Sequence, residues 1–328
     1  MNAKATSIFL CLLFVCIACK EVPGKSQVDP SASEAKEKSK DKESKKGLKL
    51  SPLDSIKLSE VERLYDVSVA SQELALEMEL KEISGLSFDQ VNNQFLANND
   101  EEGVIYHLDL KGNIVKKDDF EKDGDYEGIE KVGDDIVVTK SNGNLYFYND
   151  AAPETIKVKT DLNEKNDIEG LAYDPNHELL LMACKGATLH EKKSKHEKSI
   201  YAYNLKLEVL HEEPFLTMRD AVHLSYVEYH MGDIDAEEKK SLHKRVKDFA
   251  PSGLAINPLN RDIYVISARG SIAVVYDMDH HFQDILFFDE ELIPQPEGIC
   301  FSPSGDLYVS TEGVKHDAKI FKFLRSKQ

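Results

Sequence analysis

The stretch "DIEGLAYDPNHELLLMAC", residues 167–184, opens on acidic residues and a glycine, enters an apolar run, turns, and becomes apolar again. A carboxylate at the mouth of a strand this apolar needs a reason. The tripeptide Ile168-Glu169-Gly170 has relatives in "EISGLSFD" (82–89), "DYEGIEKVGDD" (125–135), "APSGLAINP" (250–258) and "QPEGICFSP" (295–303). The stretch is one copy of a repeat. Its glycines, Gly85, Gly128, Gly170, Gly253 and Gly298, are spaced by 43, 42, 83 and 45 residues. Strand-rich periods of roughly 40–50 residues belong to propeller blades, each a four-stranded antiparallel sheet.

A second landmark keeps the same register. Downstream of each glycine comes an aromatic or β-branched strand: "VIYHLDL" at 104, "NLYFYND" at 144, "SIYAYNL" at 199, "IAVVYDM" at 272 and "KIFKFLR" at 319. Turn residues such as Asn142-Gly143 precede most of them. The 83-residue step is either two blades with one eroded signature or one blade with insertions. A charged hairpin, "GATLHEKKSKHEKS", and a helical segment at about 218–249, with Asp235 as N-cap, account for the excess. The fold class is therefore all-β, a five-bladed β-propeller with a helical insertion in blade three, and six blades as the alternative. No residues remain after Phe323 for an outer strand of blade five. "VERLYDVSVAS" (61–71) is expected to close the ring in its place.

A chain of 328 residues with 41% hydrophobic content can bury a sizeable core. The net charge of −18 is unevenly spread: residues 1–50 carry +4, which leaves −22 for the remainder. So acidic a body repels phosphate backbones, and nucleic acid is not an expected partner.

The N-terminus reads as an export signal. Lys4 precedes an apolar run from Ile8 to Ala18, eleven residues, too short for the roughly 20 that a bilayer needs. The run ends in small residues at a cysteine. It resembles a bacterial lipoprotein signal peptide, 1–18, with Cys19 the lipidated residue, although Cys16 stands where a Leu is usual. An ordinary cleaved signal is the alternative. Residues 19–57, rich in Lys, Ser and Glu, are expected to form a disordered tether, and 58–328 the propeller domain. The expected location is the bacterial cell envelope, with the membrane as a partner through the anchor. Only Cys184 and Cys300 then belong to the folded body. They are read as small apolar strand residues, with a disulfide as the alternative.

The signatures, the stretch "PSGLAINPLNRDIYVIS" and the closing "PEGICFSPSGDLYVSTEG" resemble the SdiA-regulated family, also called the YjiK family, over roughly residues 60–326. The resemblance implies a membrane-attached five-bladed propeller distantly related to NHL-repeat proteins, with a calcium site in the domain. It implies no settled activity.

In a propeller the first strand of each blade lines the axis, so equivalent positions form a ring. The signature positions are Ser84, Glu127, Glu169, Ser252 and Glu297. Three carboxylates and two hydroxyls would converge there, raising one another's pKa unless a cation compensates them. Oxygen-only ligands suit Ca²⁺. Asp125 and Asp167 are expected to supply outlying oxygens around that metal. A wet channel whose glutamates bond backbone N–H groups is the alternative.

The chain has no G-x-S-x-G elbow, no P-loop and no H-E-x-x-H. The sequence therefore supports a calcium-binding module for an unidentified protein or small-molecule ligand. The alternative is a calcium-dependent hydrolase of esters, lactones or phosphoesters, for which it offers no base.

Overall fold

The computed structural model describes residues 64–189, 196–230, 234–313 and 317–326. The expected signal 1–18, Cys19 and the tether 19–57 lie outside the described residues. What is described is a ring of five antiparallel blades. Blade one is β2 (Ile83–Asp89), β3 (Gln94–Asn99), β4 (Val104–Leu108) and β5 (Ile114–Asp119). Blade two is β6 (Tyr126–Val132), β7 (Asp135–Lys140), β8 (Leu145–Asn149) and β9 (Ala152–Val158). Blade three is β10 (Ile168–Asp174), β11 (Leu179–Cys184) and β12 (Glu197–Asn204), with β13 (Val209–Leu210) and β14 (Leu216–Arg219) both paired to β12. Blade four is β15 (Gly253–Ile256), β16 (Ile263–Ser267), β17 (Ile272–Tyr276) and β18 (Phe282–Phe287). Blade five is β19 (Pro296–Phe301), β20 (Leu307–Thr311) and β21 (Lys319–Phe323), completed by β1 (Gln72–Ala75).

The N-terminal part does close the ring, but not with the expected residues. The outer strand is Gln72–Ala75, antiparallel to β21, just beyond the 61–71 stretch. Within that stretch Tyr65 forms a single bridge to Arg325, and Ser71 N–H donates to the Lys322 carbonyl at 2.8 Å. Alternation places Leu74 inward, against Ile320 of β21.

The continuous apolar run of β11 follows from its place between two blades. Strand side chains alternate between faces. Leu179, Leu181 and Ala183 pack toward blade four, while Leu180, Met182 and Cys184 pack toward blade two. Strand β16 divides in the same way, Ile263 and Val265 to one side, Tyr264 and Ile266 to the other. Five apolar clusters result, one at each interface between neighbouring blades. Cys184 and Cys300 are both buried free thiols.

The 83-residue spacing is one blade with insertions. Helices α1 (Asp220–His230) and α2 (Ala236–Lys247) lie between β14 and β15. The Asp235 carboxylate accepts hydrogen bonds from the N–H groups of Glu237 at 2.8 Å and Glu238 at 2.9 Å, capping α2. Tyr226 of α1 donates to Asp284 of β18, and His223 Nε2 lies 2.7 Å from the Tyr276 hydroxyl. The helices thus brace the outer strands of blade four. Among the described residues no helix is long and apolar enough to cross a membrane.

Candidate functional site at the propeller axis

The inner strands β2, β6, β10, β15 and β19 neighbour one another in a closed ring. The signature glycines make the ring possible. A Cβ on Gly128 would come within 2.9 Å of Leu171 N, one on Gly170 within 2.9 Å of Leu254 N, and one on Gly253 within 2.3 Å of the Glu297 carbonyl. Gly85 stands as close to Ile129, and Gly298 to Leu86. Each glycine is therefore the point where one blade's backbone meets the next, and any side chain would push them apart.

The carboxylates owe their direction to bulges. Ile83 pairs with Asn99 but Gly85 with Asn98, which leaves Ser84 as an extra residue. Glu127 sits between the pairs Tyr126–Lys140 and Gly128–Thr139, and Glu169 between Ile168–Cys184 and Gly170–Ala183. In β19 the register slips between Pro296 and Ile299, across Glu297. A bulge re-aims a side chain out of the pleat. Here three bulges turn glutamates onto the axis.

Glu127, Glu169 and Glu297 line one axial cavity of about 10 Å³, the room that a single water-sized species needs. Leu86, Ile129, Leu171, Leu254 and Ile299, each two residues after the signature position of its strand, line the same cavity. The two serines do not line it. Ser84 Oγ stands 2.9 Å from Glu127 Oε2 and 3.0 Å from the Glu127 carbonyl, so it ties blade one to blade two beside the carboxylate. Ser252 donates to the Pro296 carbonyl at 2.5 Å and accepts from Ala268 N–H at 2.9 Å, and so links blades four and five through the backbone.

Burial, then the Glu169 charge, push the Glu127 carboxyl up to about 9. Burial pushes Glu169 up to about 7 against the pull of Lys185. Burial, followed by the charges of Glu312 and Glu169, raises Glu297 well above the carboxylate range. The exposed Asp125 and half-buried Asp167 act on this group through their charge. Asp125 is itself held by the Ser141 hydroxyl, which donates to its Oδ2.

Sequence reasoning missed a second column of residues, one step past the ends of the second strands: Asp100, Ser141, Lys185, Ala268 and Glu312. The N–H groups of Asp100, Ser141, Lys185 and Glu312 donate to the carbonyls of Glu82, Asp125, Asp167 and Gln295. Asp100 and Glu312 raise the acidity of the mouth, and each carboxyl is pushed up, by burial first and then by neighbouring acids. Lys185 supplies the opposite charge, its Nζ donating to Glu169 Oε1 at 2.7 Å. Aligning the five repeats places these residues in one column, which is the signal that was available.

The donor set is hard oxygen and suits Ca²⁺. The glutamate oxygens share the cavity without being drawn into a tight cluster. Among the described residues, the ligand atoms that already lie within 4.8 Å of one another belong to Asp277, Asp279 and His281, on the outer β17–β18 hairpin.

The family model of SdiA-regulated proteins matches residues 57–314. The chain belongs to the SdiA-regulated family. No curated protein matches its sequence. Among solved structures, the SdiA-regulated chain is similar to glutaminyl cyclase from Myxococcus xanthus, at 14% identity and TM-score 0.51, covering 79% of this chain and 96% of the cyclase. It is also similar to the PQQ-bound aldose sugar dehydrogenase of Streptomyces coelicolor, at 10% identity and TM-score 0.45, over 80% of this chain and 100% of that one. A luciferin-regenerating enzyme follows at 12% identity and TM-score 0.43, over 77% and 95%. At these identities the likeness to the cyclase speaks for the fold of this SdiA-regulated protein alone.

Proposed function

We propose that this protein is a cell-envelope lipoprotein, anchored at Cys19, whose propeller binds a cation at its axis and acts as a ligand- or partner-binding module. The observation that carries the cation reading is the enclosure of Glu127, Glu169 and Glu297 around one water-sized cavity, with Lys185 as the cation acting on all three. Buried carboxylates without full compensation favour either protons or a metal. Calcium meets the demand with charge and with oxygen coordination.

Binding stabilises only the native state, because the glutamates come from three blades and the site does not exist in the unfolded chain. At 100 times its dissociation constant the ion adds about 2.7 kcal/mol. Calorimetric titration of EDTA-treated protein with CaCl₂, together with melting in either state, tests this. A protein with neither calcium heat nor an EDTA-sensitive melting temperature has purely structural axial glutamates. EDTA-sensitive turnover of lactones, aryl esters or phosphoesters would replace binding with the hydrolase reading.

A further inference from the structure

The axial group already contains a cation of its own. Lys185 Nζ donates to Glu169 Oε1 at 2.7 Å, while a third of the Lys185 side chain remains open to solvent. Its backbone is pinned on both sides. Lys185 N–H donates to the Asp167 carbonyl at 2.8 Å, and Lys198 Nζ donates to the Lys185 carbonyl at 2.7 Å. Gly186 N–H donates to the Asn166 carbonyl at 2.8 Å, and a Cβ on that glycine would come within 2.2 Å of the Lys165 carbonyl. The main chain therefore stays in place, while the four-carbon side chain retains its rotamers.

A divalent ion bound to Glu169 and the ammonium of Lys185 compete for the same oxygens. Two cations that close repel strongly in a site this buried. Asp167 lies two residues before Glu169 at the mouth, half-buried, on the strand end to which Lys185 is already joined. It is a second carboxylate whose charge already acts on the Lys185 ammonium.

We propose that Lys185 is a resident counter-cation that a divalent ion must displace to occupy the axial carboxylates, its ammonium moving from Glu169 toward Asp167. The inference rests on the cation reading above and adds what that reading lacks. The site exchanges one positive charge for two rather than filling from an uncompensated state, and Lys185 sets how much cation is needed. A low intrinsic affinity would follow from this lysine and not from too few oxygens.

The test compares wild type, Lys185→Met and Lys185→Arg by calorimetric titration with CaCl₂, and by melting in EDTA. Lys185→Met should bind calcium about tenfold more tightly, within the span that coupled ligands show. Its calcium-free form should melt below wild type, since three carboxylates lose their compensation. Lys185→Arg keeps the charge, should bind no more tightly than wild type, and shows that position 185 tolerates change. Asp167→Asn should weaken binding in wild type more than in the Lys185→Met background. A wild type that binds calcium beside a Lys185→Met that binds no more tightly overturns the displacement alone. Loss of calcium heat in every chain overturns the cation reading and the displacement with it. Equal losses from Asp167→Asn in both backgrounds remove Asp167 from the exchange.

Discussion

The Tyr65 hydroxyl donates to the Gly305 carbonyl at 2.6 Å, although 240 residues separate them. The same oxygen accepts from Asn257 Nδ2 at 2.8 Å, and the ring stacks edge-on to Tyr264 at 6.0 Å. Tyr65 therefore plugs the seam between blades four and five, ahead of the strand that completes blade five. Tyr65→Phe should cost about 1–2 kcal/mol through the orphaned carbonyl and amide. Tyr65→Ala should cost about 3–5 kcal/mol through the added cavity. Urea unfolding measures both. Deleting residues 20–45 should leave the midpoint where it is.

The glycine ring makes a separate prediction. Gly170→Ala forces a methyl to within 2.9 Å of the Gly253 carbonyl carbon and Leu254 N, both backbone atoms that cannot rotate away. A loss of about 1–3 kcal/mol is expected. Gly133→Ala, at φ +59 with nothing within 4 Å, should cost only left-handed strain, about 1 kcal/mol. Equal melting temperatures for the two variants would contradict the role assigned to Gly170.

The pH dependence of stability has two limbs of opposite sign and one cause, burial of the charged form. Glu127 and Glu169 hold protons more tightly folded than unfolded, about 9 and about 7 against 4.5. The calcium-free protein is therefore most favoured below pH 4.5 as far as these groups go, and loses their contribution as pH rises through 7 to 9. Glu169→Gln should flatten that limb and stabilise the calcium-free protein at pH 8. Burial depresses His223 from 6.5 to about 3, so its contribution is present above pH 6.5 and lost as pH falls toward 3. Melting curves from pH 4 to 9, with and without EDTA, resolve the limbs, and calcium should reverse the alkaline one.

The anchor is tested at Cys19. Cys19→Ser should release the protein from membranes and abolish labelling by a fatty-acid probe. Unchanged retention and labelling would remove the lipoprotein reading.

The period of the signature glycines, the axial position of Glu127, Glu169 and Glu297, and the cap at Asp235 were legible in the sequence because each has a local pattern. Ring closure was legible in principle, since blade five runs out of chain. Its residues were not: 61–71 was the nearest strand-like stretch before the first signature, but Tyr65 there is buried as a plug, and the pairing strand is Gln72–Ala75. The glycines were legible as markers and not as contacts, because the close approach to Ile129, Leu171 or Leu254 belongs to the next blade. Lys185 was hidden within its own blade. It reaches Glu169 across the ladder between β10 and β11, a relation that spacing along the chain does not carry. The expectation that Ser252 faces the axis assumed one side-chain direction for all five signatures, whereas its hydroxyl turns to the Pro296 carbonyl.

The aliphatic residues Leu86, Ile129, Leu171, Leu254 and Ile299, all buried, share the axial cavity with the three glutamates. On the cation reading, an ion would reach the carboxylates past Glu82, Asp100, Asp125, Asp167 and Glu312, whose charges act on one another and on the axial glutamates, and apolar walls beside so many acids focus field lines toward the site. Arrival should then be fast at low ionic strength and slow steeply as salt screens these acids, while departure, governed by bonds inside the cavity, should barely respond.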